Sequence, residues 1–285
     1  MSSPAPASEH TDHVLRPMDM SQIFNAALTL LLGTPGVFLT AVALANLPTI
    51  LWQVGALAAP NSWIVPTRYR SGQDMYTLLG IAARVFTSGK LDAAGAVGLG
   101  ISLFSSLLQS AVLVPLIAAR YRGRVCSLAD ALTQARRALP RLCATYAAPL
   151  LIMLAAAKLY ALSSTAAVIG VVLLVCAFPT WLFLTQGVML ENTTPIGALR
   201  RSASLLRRRV ISIYGTWLTY ELIFVVLTAL PTFVMGMGSV LYPPGPRLNA
   251  LTIIAGNLAV LLIEPLRETM ATMLYFEQRR RRREI

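Results

Sequence analysis

The residues best placed to do chemistry are acids in apolar surroundings. Glu221 lies in TYELIF and Glu264 in LLIEPLRETM, with Arg267 three residues and Glu268 four residues beyond Glu264. Asn257 falls two helical turns before Glu264, and Tyr275 continues the same line, so helical spacing puts one polar stripe on this segment. A charge at the middle of a membrane costs at least ~2.5 kcal/mol on insertion scales, so such groups must face a bundle interior or be paired. Two readings follow for Glu221, Asn257, Glu264, Arg267 and Glu268. One is a site for proton- or cation-linked transport. The other is a structural ion pair of Glu264 with Arg267, accompanied by a hydrogen-bonded or protonated Glu221. The ion pair is preferred, because one helix can satisfy it alone.

A catalytic constellation is missing from the sequence. The histidines are His10 and His13, both far from any apolar stretch, which leaves no Ser–His or Cys–His nucleophile pair. Cys126, Cys143 and Cys176 are scattered, without a CxxC pair, and predict neither a zinc site nor a disulfide framework. Lys90 and Lys158 sit in no serine–lysine motif. The run AAGAVGLG from Ala93 resembles a phosphate loop only in its glycines, since no strand precedes it and no GK[ST] follows. Small residues at four-residue spacing, such as Ala94/Gly98 and Ala96/Gly100, suit close helix contact in lipid. The expectation is a non-enzyme with no cofactor and no metal.

The elements that must position these acids are long and apolar. The 285-residue chain is 56% hydrophobic and 13% charged, with mean hydropathy +0.65, against about 25% charged residues in soluble domains. Six apolar stretches, roughly 35–58, 93–119, 142–160, 164–190, 210–237 and 249–275, each supply the ~20 residues that cross a bilayer. Every one carries a proline: Pro48, Pro115, Pro149, Pro179, Pro231 and Pro265. Membrane helices tolerate such prolines as static kinks, the reading preferred here over six hinges for alternating access. The connection 159–164 is short enough to make its flanking helices antiparallel neighbours.

A half-polar helical prelude recurs before three of the stretches, from Asp19 (DMSQIFNAALTLL), Ser127 (SLADALTQARRAL) and Thr194 (TPIGALRRSASLL). Ungapped alignment matches Ala27, Ala135 and Ser202, and Leu31, Leu139 and Leu206. The predicted fold is all-α: a polytopic membrane protein of six transmembrane helices in three repeated units, each an interfacial helix plus a helical hairpin. The units cover about 16–120, 126–190 and 194–276. Together they form one membrane domain over 16–278, between a disordered tail at 1–15 and a basic tail at 279–285. A further surface helix is expected over 74–86, and a Pro-rich turn over 238–248.

Net charge is +12, and all but two of the 24 basic residues are arginine. With both termini and the even-numbered connections on one side, eighteen of them share that side. The positive-inside rule makes it the cytoplasm. Charge thus reports topology rather than nucleic-acid binding, and Arg-for-Lys, Ala-rich usage points to a bacterial inner membrane. The third prelude carries Arg200, Arg201, Arg207, Arg208 and Arg209, expected to hold anionic phospholipid headgroups at about 1 kcal/mol each.

Three segments carry a family resemblance: LRPMDMSQIFNAALTLL at 15–31, VMLENTTPIGALRRSASLLRRRVISIYG at 188–215 and LYFEQRRRRREI at 274–285. The chain resembles bacterial six-helix membrane proteins related to the membrane domain fused to glycerophosphoryl diester phosphodiesterases. In fused members the hydrolase is a separate barrel. This chain ends ten residues after Tyr275, so the resemblance implies the membrane architecture without the phosphodiesterase activity. The resulting expectation is a non-enzymatic membrane protein that engages the lipid bilayer, or a membrane or cytoplasmic protein partner, through its interfacial helices. The alternative is a transporter or permease subunit with Glu221 and Glu264 as its buried polar site.

Overall fold

The computed structural model describes residues 18–58, 93–177, 181–207, 213–215, 217–224, 226–227, 230, 234 and 246–282. The expected tail at 1–15, the surface helix at 74–86, Pro179, Pro231, Arg208, Arg209 and most of the turn at 238–248 lie outside the described residues. Regular structure among the described residues is helical, with no strand. Eight helices are defined among the described residues: α1 (Met20–Leu32), α2 (Pro35–Ala58), α3 (Ala93–Tyr121), α4 (Leu128–Leu162), α5 (Ser164–Ala177), α6 (Leu184–Glu191), α7 (Pro195–Leu206) and α8 (Pro246–Arg281). Helical turns also occupy 217–224. Among the described residues three helices are long and apolar enough to cross a bilayer, over Pro35–Gly55, Gly100–Tyr121 and Leu128–Ala156.

Local chemistry sets the helix ends. Asp19 opens α1 with a capping box: its carboxylate accepts from the Gln22 amide at 2.8 Å, while Gln22 Oε1 accepts from the Asp19 amide at 3.0 Å. Gly33 and Thr34 end α1, and Pro35 starts α2. Ser127 caps α4 through the Asp130 amide, and Thr194 caps α7 through the Gly197 amide with Pro195 at the first helical position. Gly123, at φ +68°, closes α3 in a Schellman-type turn, the Arg124 amide reaching Ala119 O at 2.8 Å.

Two elements differ from the sequence reading. The second prelude and the stretch after it form one helix, α4, which runs unbroken through Pro140 and Pro149. Pro140 sits on an exposed face, where solvent can satisfy the carbonyl it releases. The stretch 164–190 is interrupted instead. Helix is described as far as Ala177, Trp181–Phe183 lie in tight turns, and helix resumes with α6 at Leu184.

Side-chain contacts fix the helix directions. Along α3 and α8, Gln109 meets Glu264, Ser110 meets Glu268 and Tyr121 meets Arg280, so the two run parallel. Along α2, Asn46 meets Gln109 and Gln53 meets Asn257, so α2 runs against both. Residues Gln186 and Glu191 of α6 meet Glu268 and Tyr275 in the same order, making α6 parallel to α8. The α4–α5 hairpin is antiparallel about Ser163. Gly170 lies against Ala156 so closely that an added Cβ would stand 3.0 Å from the Ala156 carbonyl oxygen.

The core lies where α3, α6 and α8 descend together. Ala111 through Ala118 are all buried, as are Phe183 through Val188 and Thr272 through Gln278, so these segments are enclosed on every side. Ala27, Ala135 and Ser202 are each 0% exposed. Elsewhere apolar side chains line the outside at helical spacing: Leu44, Leu47, Leu51 and Val54 on α2, and Leu251, Ile254, Leu258 and Leu262 on α8. Apolar stripes of this length on the periphery mark a surface that meets lipid.

Candidate functional site

A chain of polar side chains crosses the bundle interior. Asn46 donates to Gln109 Oε1 at 2.6 Å, and Gln109 Nε2 donates to Glu264 Oε2 at 3.1 Å. Arg267 then bridges two carboxylates, with Nη2 2.8 Å from Glu264 and Nη1 3.1 Å from Glu221. One guanidinium therefore holds two acids from different segments, with the fixed fork geometry that makes arginine suited to such bridging. Of the five residues singled out for a polar site, the structure joins Glu221, Glu264 and Arg267. Asn257 stands apart, donating to Gln53 Oε1 at 2.7 Å.

Glu268 points elsewhere. It is 6% exposed and takes Ser110 Oγ at 3.3 Å and Gln186 Nε2 at 3.5 Å. No ion pair reaches it among the described residues. Asn46, Gln53, Gln109, Ser110 and Gln186 were not singled out in the sequence. Each is an amide or hydroxyl residue inside a predominantly apolar stretch.

A second cluster closes the basic end. Glu191, the last residue of α6, pairs with Arg201 of α7 at 3.0 Å and Arg279 of α8 at 3.4 Å, and accepts from the Tyr275 hydroxyl. Nearby, Arg141 reaches the Asn192 carbonyl at 3.4 Å, Arg280 reaches Tyr121 Oη at 2.8 Å, and Arg281 reaches the Met18 carbonyl at 3.0 Å. Arg282 donates to the Ser204 carbonyl. The start of α1, the end of α3, α4 at Arg141, α7 and the end of α8 thus meet at one end of the bundle. Of the arginines assigned to lipid headgroups, Arg201 is turned inward to Glu191, while Arg200 and Arg207 are exposed.

No protein-family model, curated protein or solved structure matches this chain. The geometry alone therefore bears on function.

A cleft of about 20 Å³ lies beside the Arg267 bridge, lined by Trp217, Tyr220, Glu221, Phe224, Arg267 and Met270 among others. That is room for about one water and too little for an organic substrate. Among the described residues no three His, Cys, Asp or Glu side chains are grouped to hold a metal. Outside the apolar segments, two groups among the described residues are tuned. The Gln22 amide, helped by the Ser21 hydroxyl, holds the Asp19 carboxyl below its ordinary value. Burial raises the Cys126 thiol, and Asp130 adds to this against the pull of Arg120, so Cys126 stays in the unreactive thiol form.

Proposed function

We propose that this chain is a six-span bacterial inner-membrane protein, built from three interfacial-helix-plus-hairpin units, that engages anionic phospholipid headgroups at its cytoplasmic face and has no catalytic centre of its own. The observation that carries this reading is the convergence of basic residues at one end of the bundle. Met18, Arg120 to Arg124, Arg141, α7 and Arg279 to Arg282 come together there from widely separated parts of the sequence. Such clustering is what the positive-inside rule selects. Both termini then face the cytoplasm. The parallel course of α3, α6 and α8 is in keeping with alternating spans. The common burial of Ala27, Ala135 and Ser202 supports the three-unit repeat. The family proposed is that of six-helix membrane domains related to those fused to glycerophosphoryl diester phosphodiesterases.

On α7 the work is divided. Arg201 and Glu191 anchor the helix, while Arg200, Arg207 and the apolar Ile196 (64% exposed) face outward, as in a helix lying in the interface. Transport through Glu221 and Glu264 is the weaker reading, because Arg267 already occupies both carboxylates.

Native mass spectrometry of the protein released from mild detergent tests the proposal. Wild type is expected to retain anionic phospholipid, and Arg200→Gln with Arg207→Gln to lose most of it. Equal retention by the double variant, or retention of zwitterionic lipid alone, refutes the lipid assignment.

A further inference from the structure

We infer that Glu268, Gln186 and Ser110 form a binding site for one monovalent cation, a proton or Na+, in the centre of the bundle. This stands independently of the lipid proposal. Ser110 lies at the midpoint of the apolar segment Gly100–Tyr121, eleven residues and about 16 Å along the helix from its basic end. Glu268, at 6% exposed, is therefore a carboxyl at mid-depth.

Its surroundings do not balance its charge. The nearby guanidinium, Arg267, is committed to Glu264 and Glu221. Among the described residues the cluster holds three carboxyls to one fixed cation. The two donors to Glu268 are neutral and distant, at 3.3 and 3.5 Å, whereas hydrogen bonds to a carboxylate usually run about 2.7–2.9 Å. A buried carboxylate with no closer partner requires a counter-charge or a proton.

Gln186 supplies the second, independent observation. It is 2% exposed, and its Oε1 has no hydrogen-bond partner. The two ends of a primary amide have nearly the same outline. Turned over, the amide places this unpartnered oxygen 3.5 Å from Glu268 Oε1. It then accepts the proton of a neutral carboxyl or shares a cation with the carboxylate. Oxygen atoms that jointly ligate a cation at about 2.4 Å stand about 3.4 Å apart, close to both separations seen here. One uncommitted carboxyl among neutral oxygens balances a single positive charge. That favours a monovalent ion over a divalent one, in line with the lack of a metal-holding acid cluster among the described residues.

The ionisable groups acting on Glu268 are Arg267 and Glu264 on its own helix, Glu221 from the 217–224 turns and Tyr146 from α4. The residues of α3 and α6 that touch it, Ser110 and Gln186, do not titrate.

A hydrophobic carbodiimide, which enters apolar interiors and adds to protonated carboxyls, tests the site. The full-length protein in detergent is treated across pH 6–9, in NaCl or in choline chloride of equal strength, and adducts are mapped by peptide mass spectrometry. The adduct is expected at Glu268, absent from Glu191, and declining as pH rises. Protection by NaCl but not choline assigns Na+; equal labelling in the two salts assigns the proton. Gln186→Leu is expected to shift the protecting Na+ concentration, or the pH response, about tenfold, the scale of effect for a neighbouring ligand group. No adduct at Glu268, labelling indifferent to both pH and Na+, or an unaltered response in Gln186→Leu overturns the inference.

Discussion

The Phe183 amide donates to Ser202 Oγ at 3.2 Å. Phe183 sits just ahead of α6, where the interrupted stretch has not yet resumed helical bonding, so its N–H needs a partner from outside. Ala27 and Ala135, aligned with Ser202 in the other preludes, have no hydroxyl to offer. Ser202→Ala leaves a buried donor unmade and is expected to cost about 1–3 kcal/mol. The check is the thermal midpoint of the purified protein. A midpoint within error of wild type removes the role assigned to Ser202.

Arg267→Met strands Glu221 and Glu264 without their shared cation. Breaking one side of a buried pair typically costs about 3–5 kcal/mol, whereas replacing all members by neutral groups is often tolerated. Arg267→Met alone should therefore fail to accumulate in membranes, and Arg267→Met with Glu221→Gln and Glu264→Gln should recover most of the wild-type level. Immunoblotting of membrane fractions decides. No recovery in the triple variant shows that Arg267 does more than balance the two acids.

Much of this site was legible in the sequence and part was not. Glu264 and Arg267 could be matched because they are three residues apart on one helix. Glu221 could be suspected from its apolar setting, but its partner lies 46 residues away, and a distance in sequence gives no distance in space. Gln109 and Gln186 stand out as amides in apolar runs, but an amide there looks the same in sequence whether it faces a neighbour or an acid. The continuity of α4 was equally hidden. Pro140 resembles a boundary, and only its place on an exposed face shows why the helix passes through it.

Gly170→Ala should destabilise the α4–α5 hairpin. Its new Cβ would meet the Ala156 carbonyl oxygen at 3.0 Å and Cα at 3.3 Å, and backbone cannot swing aside as a long side chain can. A loss of about 1–3 kcal/mol is expected, the usual range for overpacking. Gly100→Ala is the contrast, since nothing lies within 4 Å of its added methyl, and it should gain about 0.5–1 kcal/mol through helix propensity. Unfolding of the two variants side by side should give shifts of opposite sign.

The Asp19 cap makes the start of α1 sensitive to acid. Its folded value lies below the ordinary 3.8, so its contribution is complete above that value and is lost as pH falls through the lowered one. Hydrogen-exchange protection of the first turn of α1, corrected for intrinsic rates, should decline below pH 4 in wild type and stay flat in Asp19→Asn. Identical profiles would remove the carboxylate from the account.

The parallel course of α3, α6 and α8 has a consequence for how the chain enters a membrane. Three helices end at this face with arginines beside them, a favourable pairing of each helix C-terminus with nearby positive charge. The internal bonds of the bundle are the same whichever side of the bilayer this face occupies. Folding and orientation are therefore separate decisions. An inverted molecule would be packed as well as a correct one, and only the cost of carrying its arginines across the membrane during insertion tells the two apart.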